Sequence, residues 1–289
     1  MDPLSLHLWT CDVGADAGGA AGFAEMIVGR VSQSWADGAD LVVFPEFAWL
    51  GAERYMEGPD PVIAVAEWFW ETIWPGLRSG LAKPGKAVVL GTVPFVSGDG
   101  RLFNRAPILA GDNVFYQDKL HLTPWESAFT PGDVLRIWEF RGLRLATVVC
   151  LDIEIPELAV ALRAAEVDAI LVPSATDGVL GSERVCRCAD ARAAELACQV
   201  AVCPLVGRAG SALVDMNLGR FACYSPSQSP FAGCDRRISG DMLTSGFHRM
   251  EITLDPSRVR ACRALREETV PARLRPETVR LEPEPNRSL

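Results

Sequence analysis

Positive charge is scarce in this 289-residue sequence. There are 28 Lys and Arg against 37 Asp and Glu, a formal net charge of −9, and only three histidines. An acidic chain is a poor binder of polyanions, so neither nucleic acid nor an anionic membrane surface is expected as a partner. No apolar run approaches the ~18 residues of a membrane-spanning helix. The opening residues carry Asp2 as their only early charge, with no basic stretch ahead of an apolar one, so no secretory signal peptide is expected. Nine cysteines, an odd number, are scattered from Cys11 to Cys262, which is not the framework of a small disulfide-rich domain. Free thiols in a reducing cytoplasm are the expectation.

Several chemical signatures are missing too. No G-x-G-x-x-G follows a strand, and there is no G-x-S-x-G elbow. The stretch 80–86 comes near a phosphate loop, but Ala87 stands where a Ser or Thr must meet magnesium, and a strand follows it. His7, His121 and His248 form no H-E-x-x-H pattern. Cys186 and Cys188 lack a second Cys/His pair at zinc spacing and read as helix thiols. No metal and no cofactor are expected.

What remains is an ordinary globular composition, 49% hydrophobic and 22% charged. A chain of this size can bury roughly three quarters of its unfolded surface. Strand-length apolar runs alternate with helical stretches. Strands are expected at 4–11, 41–44, 87–93, 169–172, 200–205 and 248–254. Helices are expected at 17–36, 62–81, 158–165 and 182–199, the second of them broken at Pro75-Gly76. Hairpins are expected at 106–118, at 134–150 around Arg141-Gly142, and at 211–224. Residues 225–246 read as an irregular loop. Hairpins among helices predict an α/β (α+β) protein with mixed sheets and helices outside. Trp68, Trp70 and Trp74 read as packing residues. Residues 1–266 form the expected single domain. The tail 267–289, with four prolines among charges, cannot build a core of its own.

Three apolar strands run straight into a reactive residue: Leu41-Val42-Val43-Phe44-Pro45-Glu46, Val114-Phe115-Tyr116-Gln117-Asp118-Lys119, and Leu145-Ala146-Thr147-Val148-Val149-Cys150. In open α/β sheets ligands bind outside the carboxyl ends of strands. Taken singly, these are a helix-capping glutamate, a solvated lysine and a small core thiol. If they converge, the carboxylate can take the thiol's proton and the ammonium can support an oxyanion, which describes acyl transfer through a thioester.

The residues around these strand ends resemble the nitrilase superfamily, the carbon-nitrogen hydrolases. The matching segments, in order, are Phe44-Pro45-Glu46-Phe47, then Lys119-Leu120-His121-Leu122-Thr123-Pro124-Trp125-Glu126, then Cys150-Leu151-Asp152-Ile153-Glu154-Ile155-Pro156-Glu157. Phe129-Thr130-Pro131-Gly132-Asp133 and Arg192-Ala193-Ala194-Glu195 match as well. The resemblance implies a four-layer α-β-β-α sandwich that dimerises, with the tail reaching over the partner through Val270, Leu274, Val279 and Leu281. It implies Glu46 as general base, Lys119 as oxyanion stabiliser and Cys150 as nucleophile. Glu126 would support Lys119, and the Leu151 backbone N–H would be a second oxyanion donor. Trp125, Asp152 and Thr176 are the expected substrate contacts, and His121 is expected to prop the Lys119 segment.

Departures fall around the pocket. Leu151 stands where an aromatic is common, Leu196 follows Glu195 in place of a frequent Asn, and Asn217-Leu218-Gly219 only approximates an Asp-Pro-x-Gly turn. Cys150-Leu151-Asp152 with Pro156-Glu157 is more similar to the amidase branches than to the C-W-E of true nitrilases. The implied activity is hydrolysis of a small amide or carbamoyl compound without a cofactor. Nitrile hydrolysis and acyl transfer to an amine use the same residues, and an idle scaffold on this fold would be expected to lack one of them.

Overall fold

A computed structural model describes residues 2–274 except 212. Strand residues alternate between two buried faces, and this sets the architecture. In the first sheet Leu4, Leu6, Leu8, Leu41 and Val43 face one way, while Val42 and Val88 face the other. In the second sheet Leu145, Leu171 and Cys203 face the first sheet, while Ala146, Ile170 and Val202 face away. The period of two follows from the pleat. Both faces are apolar because both are covered.

Among the described residues the first sheet has seven strands and the second eight. At the centre of the first, Leu4–Trp9, Leu41–Val43 and Ala87–Val89 run parallel. Arg249–Leu254 and Leu102–Ala110 flank them antiparallel. The second has a parallel centre of Leu143–Thr147, Ala169–Ser174 and Gln199–Arg208, again with antiparallel flanks. The sheets pack face to face through Trp138, Phe140, Leu171 and their neighbours. Helix Ala20–Ala36 and the helical run from Pro61 cover the first sheet. Helices Pro156–Ala164 and Val179–Leu196 cover the second. The expected α-β-β-α sandwich is present.

The helix expected to break at Pro75-Gly76 does not break. Pro61–Glu67 passes through a π-helical stretch, Trp68–Ile73, into Trp74–Gly80. The change of winding places Pro75 in a new first turn, where its missing N–H costs little. Trp70 packs on Phe95 and Tyr116, with ring centroids 5.2 and 5.8 Å away.

The hairpin expected at 211–224 is corrected. Met216–Asn217 and Ala222–Tyr224 each pair with the long strand Gln199–Arg208, not with each other. The expected loop 225–246 contains a strand, Arg237–Ser239, paired with Ala222–Tyr224. The expected strand 87–93 stops at Val89, and Val93–Val96 turns back on Leu102–Ala110.

Helix Pro256–Ala264 escaped the reading of the sequence. Its start was marked by Asp255, whose side chain accepts the Arg258 N–H at 2.9 Å, and by Pro256 in the first turn. Asp168, 2% exposed, anchors this helix through Arg260 and Arg263.

The first part of the tail packs on its own chain. Val270 is 3% exposed and sits against Phe231, Val259 and Cys262, and the Glu268 carboxylate accepts the Ser229 N–H at 3.0 Å. Leu274 is exposed. Val279 and Leu281, the other residues expected in a strap, lie outside the described residues. Burying a valine stabilises by about 1.5–3 kcal/mol. Val270→Ala therefore lowers the melting temperature, and equally at every protein concentration. Unchanged melting, or a loss that disappears at high concentration, would place the contribution of this segment elsewhere.

Candidate active site

Glu46, Lys119 and Cys150 meet at one end of the sandwich, where the two sheets face each other. Glu46 follows strand Leu41–Val43, and Lys119 follows Asn113–Asp118. Cys150 lies just beyond Leu143–Thr147 and opens a 3-10 turn, Cys150–Glu154. Exposure is 1% at Glu46, 2% at Lys119 and 4% at Cys150.

Two tight turns place these groups. After Glu46, Phe47 has φ 54°, and its N–H donates to Thr92 Oγ1 at 2.8 Å. Gly91, at φ 72°, lies so close that a Cβ there would sit 2.1 Å from the Pro45 carbonyl oxygen. Only glycine combines that φ with that approach. Gly132 plays a similar part for Lys119. Its N–H donates to the Lys119 carbonyl at 2.8 Å, and a Cβ would meet the Asp118 side chain and the Asp118 and Lys119 carbonyls at 2.9–3.2 Å. This is the physical content of the Phe129-Thr130-Pro131-Gly132 segment. Cys150 itself has φ 47°, a left-handed conformation costing roughly 1–3 kcal/mol in a residue with a Cβ.

Lys119 Nζ donates to Glu46 Oε1 at 2.8 Å and to Glu126 Oε2 at 2.6 Å. Glu126, 1% exposed, also accepts from the Thr123 N–H and Oγ1, closing a capping box on the turn Pro124–Glu126. Asn104 Nδ2 donates to both carboxylates, 2.9 Å from Glu46 Oε1 and 3.0 Å from Glu126 Oε1. Glu46 Oε2 accepts the Ala175 N–H at 3.0 Å, and the Cys150 thiol donates to the Ala175 carbonyl at 3.4 Å.

Burial pushes the Glu46 carboxyl up to about 7; Lys119 pulls against that rise and Glu126 adds to it. Burial alone would lower Lys119, but Glu46, the Cys150 thiol and Glu126 hold it above the ordinary lysine range. Burial and the Glu46 charge push the Cys150 thiol well above its ordinary value, against Lys119. The thiol is thus biased toward its protonated form, with the Glu46 carboxyl against it.

Cys150, Lys119 and both glutamates border a cavity of about 280 Å³. Residues 15–230 match the profile of the family described as carbon-nitrogen hydrolase. The chain belongs to the carbon-nitrogen hydrolase family. Among curated relatives, it is 29% identical over 202 residues to a probable hydrolase, YhcX, of Bacillus subtilis, covering 67% of this chain and 39% of that one. It is 32% identical over 139 residues to an (R)-stereoselective amidase of a Pseudomonas species, covering 47% and 48%. The chain thus spans less than half the length of these two relatives. A solved structure of a mutant of the amidase from Nesterenkonia sp. AN1 superposes with a TM-score of 0.67 at 22% identity, covering 90% of this chain and 97% of that one. At that identity the likeness shows the shared fold.

Within this carbon-nitrogen hydrolase, Leu151, Trp125 and Thr176 also line the cavity. Trp125 is 70% exposed at its mouth. The Thr176 hydroxyl donates to the Leu218 carbonyl at 2.6 Å. Asp152 is not in the lining. It is buried, and its oxygens accept the Leu120 and His121 N–H groups at 3.0 and 2.7 Å, with His121 Nδ1 at 2.9 Å. The side chain turns away from the cavity to pin the segment after Lys119, and His121 props the same segment. Burial pushes the Asp152 carboxyl upward, and these donors oppose the rise.

Asn104, Arg184, Asp177 and Asn217 were not singled out from the sequence as site residues. The last three line the cavity from helix Val179–Leu196, the loop before it and the short strand Met216–Asn217, respectively. Asn104 stands beside Arg105 in strand Leu102–Ala110, a polar pair that carries no sequence signal of a site, and it lay outside the expected hairpin at 106–118. Among the described residues no group of three or more His, Cys, Asp or Glu is placed to hold a metal ion. No helix among them is long and apolar enough to cross a membrane.

If Asp152 acts by positioning, Asp152→Ala lowers kcat by roughly 10²-fold, the cost of a small misplacement at a reacting centre, and leaves KM almost unchanged. A rise in KM with kcat intact, measured by steady-state kinetics, would instead make Asp152 a substrate contact.

Proposed function

We propose that this chain hydrolyses a small amide or carbamoyl carbon–nitrogen bond through a thioester on Cys150. The observation that carries the reading is the buried Glu46–Lys119–Glu126 network closed against the Cys150 thiol on one cavity. Glu46 takes the thiol proton, and the sulfur attacks the carbonyl carbon. Lys119 Nζ and the Leu151 N–H, in the first turn of a 3-10 helix where N–H groups lack intrahelical partners, receive the oxyanion. Glu46 returns the proton to the leaving ammonia or amine. Water then attacks the thioester, again giving its proton to Glu46, and the acid leaves with the thiol restored. No metal or cofactor enters these steps.

The substrate class has its own support. The cavity is just below the roughly 300 Å³ at which pockets for larger ligands begin, which suits a small acyl group. The Pseudomonas relative is an amidase, and in the Nesterenkonia amidase acrylamide has added to the active site cysteine. Trp125 at the mouth and Thr176 in the wall are the proposed substrate contacts. The reading includes a homodimer in the cytoplasm. The nine free cysteines support a reducing compartment, and the dimer follows from the family resemblance.

Activity profiling over ω-amides, N-carbamoyl compounds, linear amides and nitriles, read as ammonia release, tests the class, and the account expects amides to exceed nitriles. Cys150→Ala abolishes turnover in a folded protein, and Lys119→Ala loses ~10²–10³ in turnover. Full activity in Cys150→Ala would overturn the reading. Because a protonated Glu46 cannot accept the thiol proton, kcat/KM falls about tenfold per unit as pH drops below about 7. A profile flat to pH 5 would exclude Glu46 as the base.

A further inference from the structure

Asn104 touches more of the buried charge than any motif had suggested. It lies in strand Leu102–Ala110 and is 1% exposed. The neighbouring Arg105 pairs with Asp118, the last residue of the adjoining strand. The Asn104 main-chain carbonyl accepts the Lys119 N–H at 2.9 Å. One residue thus fixes the Lys119 backbone with its own backbone, and both glutamates with its side chain.

A carboxamide has two N–H donors, and here each goes to a different carboxylate. Charge fixes the orientation of the amide, because its oxygen would be repelled by either glutamate. That oxygen, Oδ1, is buried and has no hydrogen-bond partner among the described residues. A buried acceptor left unpaired is unfavourable, so the arrangement is held in place by its two donors. A side chain serving only to fill the strand face would not need either of them.

The consequence falls on Glu46. Its Oε1 accepts from both Lys119 Nζ and Asn104 Nδ2. Its Oε2 is left for the Ala175 N–H, and the Ala175 carbonyl takes the Cys150 thiol. The carboxylate is therefore gripped at one oxygen from the Lys119 side and presents the other on the thiol side. Glu126 is anchored independently by Thr123. Without Asn104, Lys119 alone among the described residues would hold Oε1.

We propose that Asn104 is a positioning residue that holds the Glu46 carboxylate with one oxygen on the Cys150 side. This rests on the reading of Glu46 as the base. Among the described residues, the charged or titratable groups facing Glu46 are Lys119, Glu126 and Cys150, and the neutral donors to it are the Asn104 side chain and the Ala175 N–H.

The test needs no substrate. Iodoacetamide alkylation of Cys150 is followed from pH 5 to 9 by mass spectrometry and peptide mapping. Asn104→Leu, the isosteric Asn104→Asp and Glu46→Gln are compared with the parent, and melting curves identify the folded variants. Losing a donor to the charged form of Glu46 moves the acid limb of the alkylation rate upward by about one pH unit in Asn104→Leu. It moves further in Asn104→Asp, where a third carboxylate enters. At pH 7, where the parent's Glu46 is about half ionised, the rate falls roughly fivefold for a one-unit shift. A folded Asn104 variant with the parent's rate and acid limb, beside a Glu46→Gln that has lost that limb, overturns the proposal and leaves Glu46 as base. A Glu46→Gln that keeps the parent's limb removes the base assignment, and the role of Asn104 with it.

Discussion

A lysine ammonium shut away from water is the constraint on which the rest of this molecule turns. An isolated charge could not be buried as Lys119 is, and pairing is what makes it possible. Glu46 and Glu126 supply that pairing at 2.8 and 2.6 Å. Two carboxylates around one ammonium leave the cluster one negative charge in excess. Asn104, Thr123 and the Ala175 N–H spread that excess, while burial and Glu126 push the Glu46 carboxyl up to about 7. The base strength proposed for Glu46 thus follows from how Lys119 is housed. Removing Lys119 would leave two buried carboxylates without a counter-charge, and breaking a buried pair in this way typically costs about 3–5 kcal/mol.

The housing depends on topology. Glu46 and Lys119 extend from strands of the first sheet and Cys150 from the second, so the face-to-face packing sets their separation. Ala175, just past strand Ala169–Ser174, ties base and nucleophile to the same residue, one through its N–H and the other through its carbonyl. Gly91 and Gly132 allow main chains to approach where a Cβ could not fit. Against this support the left-handed Cys150 can be sustained, and strain of that kind gathers at functional sites.

Much of this was legible in the order of the residues. Period-two alternation located the central strands, and Glu46, Lys119 and Cys150 stood out because each ends an apolar run. Side-chain direction was harder to read. Asp152 follows the nucleophile by two residues and suggested a substrate contact, yet its carboxylate is bonded to the segment after Lys119 and does not line the cavity. Asn104 was hidden because Leu102-Phe103 did not extend the apolar run recognised from Ala106 onward. Residues 211–224 misled because two short segments separately pair with one long strand, and local patterning cannot show a partner distant in sequence. In helix Pro256–Ala264 the hydrophobic residues buried are Val259 and Cys262, too sparse a face for periodicity, although its Asp-Pro start was visible.

The account stands on a covalent intermediate at one sulfur. Acid-quenching the enzyme during turnover of a small aliphatic amide, followed by peptide mapping, tests it most directly. The peptide containing Cys150 should carry the mass of the acyl group, and should lose it when the enzyme is chased in substrate-free buffer before quenching. An acyl group on any other residue, or undiminished turnover by enzyme whose Cys150 is fully alkylated, would contradict the account.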